Sequence, residues 1–122
     1  MIRLGTALKS REYPYHRMVV ISNPEATGGQ IVLVRLTNSE GAWPDRDCIL
    51  SPNEWAELDR ESLVAYSTCK FGPAVPALEA AIARGLFEVI SPPPLPVLRK
   101  IIAAAWTAKG MPPAARQWLA AC

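Results

Sequence analysis

The sequence predicts a single α+β domain, a small twisted β-barrel over residues 1–71 followed by a mainly helical portion over residues 72–122. Three observations predict it. The chain has 122 residues, the size of one domain whose core folds without disulfides. Its composition shifts near Phe71, with β-branched and turn-forming residues before it and alanine, leucine and proline after it. The apolar pattern changes there too, from short near-continuous runs to three- and four-residue intervals.

No strand is evident in residues 1–15. Met18-Val19-Val20-Ile21 reads as a buried strand, stopped by Asn23-Pro24 and the turn-forming Thr27-Gly28-Gly29. Residues 31–37 carry the strongest β signal, and the eight residues 23–30 between suit a hairpin with a long loop. Asn38-Ser39-Glu40-Gly41 and Pro44-Asp45 form the next connection, with Asp45, Arg46 and Asp47 reading as a solvated turn. Cys48-Ile49-Leu50 is a short third strand. Ser51 as N-cap, Pro52 at the first helical position and Glu54 closing a capping box start one helical turn that ends by Leu58. Leu63-Val64-Ala65-Tyr66 is the fourth strand.

In the second portion, Val75, Leu78, Ile82 and Leu86 mark a helix over residues 73–84, with Gly85 as its C′ glycine. Residues 87–90 suit a closing strand. Three prolines, 92–94, break the chain before a helix over residues 95–109. Its expected apolar face is Leu95, Leu98, Ile102, Ala105 and Trp106, and Gly110 ends it. Pro112-Pro113 opens a last short helix with Trp118 and Leu119 on its apolar side.

A net charge of +2 permits a nucleic-acid partner without indicating one. Cys48, Cys69 and Cys122 form no C-x-x-C pair, and His16 is the only histidine, so a zinc site lacks ligands. Asp45 and Asp47 have no partner ligands either, and no metal or other cofactor is expected. Free thiols point to a reducing compartment, hence a cytoplasmic protein. Residues 1–11 hold no apolar signal-peptide core, and no run approaches the length of a membrane span.

Four segments carry a resemblance. His16-Arg17-Met18-Val19-Val20-Ile21-Ser22 resembles the H-R-P-x-V-V-[LI]-S strand of MazF/PemK-family toxins, sequence-selective, metal-independent endoribonucleases with an SH3-like barrel. Val34-Arg35-Leu36-Thr37-Asn38-Ser39 is similar to that family's V-P-x-T-[TS] strand end. Cys48-Ile49-Leu50-Ser51 resembles its V-V-L-S strand, and Ser62-Leu63-Val64-Ala65-Tyr66 stands where its next strand lies. The match spans residues 15–71. Met18 and Arg35 stand where the family has proline.

The resemblance implies RNA cleavage through the 2′-hydroxyl, with Arg17 and Thr37 as catalytic residues. An arginine fork suits the negative charge that gathers on phosphate oxygens, and a threonine hydroxyl can hold such an oxygen or the 2′-hydroxyl. His16 is a third candidate, because its ordinary pKa suits general acid–base work. Side chains alternate along a strand, so a His16 beside a groove-facing Arg17 is expected to face away. Asn38, Ser39, Arg35 and Trp43 are candidate substrate-binding residues, and Trp43 and Trp55 stand in loops where exposed rings could stack on bases. The implied partners are single-stranded RNA, a cognate antitoxin protein and a second copy in a homodimer.

Each residue also has a structural reading. Arg17 can serve a surface ion pair, Thr37 can end a strand by bonding the next turn, and His16 can cap. Arg35 suits the solvated face, Trp43 and Trp55 suit packing under loops, and Trp106 and Trp118 suit the helical core. The alternative function is a non-catalytic SH3-like module that kept the fold without the activity. An open groove around Arg17 and Thr37 favours the nuclease; a groove filled by the C-terminal helices favours the module.

Overall fold

The computed structural model describes residues 2–13, 15–40 and 45–121. Its elements are β1 (Ala7–Ser10), β2 (Arg17–Val20), β3 (Gln30–Asn38), β4 (Ile49–Leu50), β5 (Ser62–Ala74), α1 (Val75–Ala83), β6 (Phe87–Ile90), α2 (Leu95–Thr107) and α3 (Pro113–Arg116). The fold is α+β. Six strands form one antiparallel sheet in the order β4-β5-β3-β2-β1-β6.

The expected barrel is not closed. The end strands β4 and β6 pair only with β5 and β1, and a barrel requires its end strands to pair with each other. Helices cover the sheet instead. On one face Val19, Val32, Val34 and Leu36 pack with Val97, Leu98, Ile101, Ile102 and Ala105 of α2 and with Ala115 and Leu119. On the other, Leu8, Met18, Val20, Ile31 and Leu33 pack with Ile2 and with Leu78 of α1. Strand side chains alternate between faces, so burial on both sides demands a near-continuous apolar run. Residues 31–34 are such a run, all buried.

The break near Phe71 is not structural. β5 continues through Phe71 to Ala74, and β6 joins the sheet beside β1. β1 itself lies in the segment where no strand was evident, because Ala-Leu-Lys-Ser carries no β-branched residue. Its partners on both sides make it a strand.

β5 is irregular. Its pairing passes from Lys70 to Ala65 while β3 advances only from Leu33 to Arg35, so residues 66–69 stand outside the ladder. Such a bulge needs other hydrogen-bond partners. Tyr66 Oη donates to the Ile101 carbonyl at 2.7 Å, and Thr68 Oγ1 donates to the Ala65 carbonyl at 2.9 Å. Ser67 donates to the Asp45 carboxylate through its backbone N–H, at 3.2 Å, and its hydroxyl. Asp45 is 1% exposed, correcting its reading as a solvated turn residue.

Other expectations shift in detail. The buried stripe of α2 is Val97, Leu98, Ile101, Ile102 and Ala105, while Leu95 is exposed and Trp106 is 40% exposed, its Nε1 donating to the Ala120 carbonyl. Trp118 and Leu119 follow α3 and pack against the core. α1 begins at Val75, and Gly85 follows it at φ +79 as a C′ glycine requires. Glu54 accepts from the Ser51 N–H at 3.0 Å, but residues 51–58 form turns, not a helix. Cys48 is buried and Cys69 half-buried, both free, and burial pushes the Cys69 thiol up to about 11. Cys122 and Trp43 lie outside the described residues. Among those residues no helix is long and apolar enough to cross a membrane.

Candidate functional site

A cavity of about 270 Å³ opens where β2 begins and β3 ends. Tyr13, Tyr15, His16 and Arg17 enter it from the β2 side, and Leu36, Thr37 and Asn38 from β3. Asp59, Arg60 and Ser62 come from the segment leading into β5. Antiparallel pairing makes this juxtaposition, since the start of one strand must lie beside the end of its neighbour. Arg17 pairs with Leu36. Carried one residue further, the register sets His16 against Thr37.

Alternation then sorts the side chains. Arg17 shares the face of Leu36, while His16, Thr37 and Arg35 belong to the other. The cavity sits at the strand ends and reaches both sets, so His16 lines it together with Arg17.

The Arg17 side chain is 20% exposed, and its Nη1 lies 3.8 Å from the Asp59 carboxylate. Arg60 Nε lies 3.9 Å from the same oxygen. Arg17 Nε is buried and has no hydrogen-bond partner among the described residues. The guanidinium is held loosely, with donor capacity left.

His16 Nδ1 lies 3.2 Å from the Leu36 carbonyl. A carbonyl only accepts, so this contact requires the proton on Nδ1 and leaves Nε2 of the neutral ring as an acceptor. Burial lowers the His16 pKa and the Arg35 charge lowers it further, while the Leu36 carbonyl opposes them. The neutral ring is therefore favoured.

The other candidates divide. Asn38 lines the cavity, its Oδ1 accepting from the Glu40 N–H at 2.7 Å. Ser39 does not line it; its hydroxyl donates to Glu61 Oε1 at 2.6 Å and its carbonyl accepts from Arg46. Arg35 lies outside the lining, opposite Met18, and acts on the cavity only through its charge on His16. Trp55 is core, 2% exposed, with Nε1 donating to the Ser91 carbonyl at 3.3 Å. Sequence reasoning missed Tyr13, Tyr15, Asp59 and Arg60. The signal for the first two was present: two tyrosines immediately before His16-Arg17. Arg60 carried no signal, because only the fold brings residues 59–62 across from Arg17.

The arrangement thus gathers two guanidinium groups, the Asp59 carboxylate, the hydroxyls of Thr37 and Ser62, two phenols, a side-chain amide and an imidazole around one open space. Compared with models of known protein families and with curated proteins, the chain matches none.

Proposed function

We propose that this chain is a toxin-like, metal-independent endoribonuclease of a type II toxin–antitoxin system, acting on single-stranded RNA and countered by an antitoxin protein. In this reading the sheet is an unclosed relative of the SH3-like barrel. The observation that carries it is the meeting of Arg17 and Thr37 at one open cavity whose lining comes entirely from residues 13–62. None of it comes from the C-terminal helices, whereas a groove filled by those helices would favour the interaction module.

The chemistry follows from the groups present. His16 Nε2 accepts the proton of a ribose 2′-hydroxyl. The 2′-oxygen forms a bond to the adjacent phosphorus and the bond to the 5′-oxygen breaks, leaving a 2′,3′-cyclic phosphate. The 5′-oxygen takes a proton from solvent water, and the His16 imidazolium returns its own proton to solvent. Arg17, with Arg60 across the cavity, meets the charge that builds on the phosphate oxygens. Thr37 donates a weaker, neutral hydrogen bond to the same group.

The test is a gel assay on mixed-sequence RNA. Wild-type protein should cut, with or without EDTA. Arg17→Ala should lose on the order of a hundred- to a thousandfold in rate, the usual loss for one preorganised donor, and Thr37→Val should lose less. Wild-type protein that never cuts overturns the nuclease, and cutting that persists in Arg17→Ala overturns the mechanism.

The reading includes a homodimer. Its surface is the free edge of β6, where Val89 is 57% exposed and Leu95, beside it, 56%. A sheet edge with exposed apolar residues is a template for pairing with a second copy. Trp118 and Leu119, which follow α3, pack internally.

A further inference from the structure

Tyr13 is 84% exposed and Tyr15 48%. Single exposed aromatics are ordinary. These two are in edge-to-face contact, with ring centroids 5.9 Å apart. Tyr15 has φ +57, a left-handed conformation that a bulky residue adopts only under constraint, and such strain collects at binding sites. The constraint is visible: the Tyr15 N–H donates to the Glu12 carbonyl at 2.8 Å, and Ser10 Oγ donates to the same carbonyl at 3.1 Å. The turn thus holds an aromatic ring out toward solvent.

Tyr15 also lines two cavities. One is the Arg17 cavity; the other, of about 260 Å³, has Lys9, Arg11 and Glu88 in its walls. Around the two together stand the cations Lys9, Arg11, Arg17 and Arg60 against the carboxylates Asp59 and Glu88. Aromatic faces between cation-lined spaces are what an unpaired nucleic-acid strand requires, since phosphates alternate with bases that can stack.

We propose that Tyr13 and Tyr15 form a base-stacking platform for single-stranded RNA, between the Arg17 cavity and the cavity walled by Lys9 and Arg11. The phosphate at Arg17 is the one cut, the neighbouring base lies on the tyrosine rings, and the next phosphate reaches Lys9 and Arg11. The choice of RNA as ligand rests on the nuclease reading; the stacking geometry does not.

The experiment uses the full chain and a fluorescein-labelled RNA octamer carrying 2′-O-methyl groups throughout, which cannot be cut by 2′-hydroxyl attack. Binding is followed by fluorescence anisotropy. Replacing Tyr13 by Ala together with Tyr15 by Gly removes both rings, and glycine suits the left-handed backbone at position 15. This variant should bind on the order of tenfold or more weakly, while the ring-preserving pair Tyr13→Phe and Tyr15→Trp should bind like wild type. Replacing Lys9 and Arg11 by Ala should lower the slope of log affinity against log salt by roughly 0.7 per cation. The platform is overturned if ring removal leaves binding unchanged, if the Phe/Trp pair binds as weakly as the ringless variant, or if wild type does not bind the probe. Ring-dependent binding of the probe, with unmodified RNA left uncut, supports the platform and overturns the nuclease.

Discussion

Arg17 does not face an empty cavity, because Asp59 already stands in it. The pair is loose at 3.8 Å and Asp59 is largely exposed, so it is worth at most about 1 kcal/mol. An incoming phosphate must displace or tolerate that carboxylate. Asp59→Asn should therefore tighten binding of the uncut RNA octamer by roughly two- to fivefold, the factor that follows from such a pair. Unchanged or weaker binding would show that phosphate does not come to Arg17. His16 gives a second residue-scale expectation. Its pKa lies below 6.5, chiefly through burial. As general base it acts in the neutral form, so the cleavage rate should fall on the acid side with a midpoint below 6.5, and His16→Gln should remove that limb. Stability has the same sign. The unfolded chain takes up the proton first, so the neutral ring's contribution is complete above 6.5 and is lost as pH falls through the lower folded value. An acid limb that persists in His16→Gln would assign it to another group.

At the scale of elements, the bulge in β5 depends on a partner from far along the chain. Asp45 receives the Ser67 N–H and hydroxyl, and Gly110, just beyond α2, packs directly over both. A Cβ on Gly110 would collide with the Asp45 carboxylate and press on the Ser67 backbone. The position needs a glycine for space, since its φ is not left-handed. Gly110→Ala should destabilise by about 1–3 kcal/mol, the usual range for overpacking, read as a lower urea midpoint with an unchanged slope. A midpoint equal to wild type would mean the bulge yields freely. Sequence reasoning assigned Gly110 to helix termination alone, because nothing local shows that a buried carboxylate lies against it.

At the scale of the molecule, the sheet has two edges that differ. β4 is only two residues long, which blunts it, while β6 offers four residues with Val89 exposed. Sedimentation at micromolar concentration should give a species of twice 13.3 kDa, and Val89→Glu should return it to the monomer mass. A wild-type monomer would rule out the dimer; a dimer untouched by Val89→Glu would move the interface elsewhere.

The run Ile31-Val32-Leu33-Val34, the Met18-Val19-Val20-Ile21 strand, the α1 helix with Gly85 and the α2 helix were legible in the sequence, because each reports a local period and a local stop signal. So was the pairing that brings Arg17 near Thr37, since one loop joins the two strands. Tertiary structure decided the rest. β1 has no strand-forming sequence and exists through its two neighbours. The open sheet, with helices on both faces, follows from which distant segments pack against it, and apolar runs record only that both faces are buried. The company Arg17 keeps, Asp59 and Arg60 across the cavity and Tyr13 and Tyr15 at its rim, depends on a turn and a loop whose ends are placed by the sheet. Local preferences act over a few residues; a site assembled from three separated segments is set by the packing that holds those segments together.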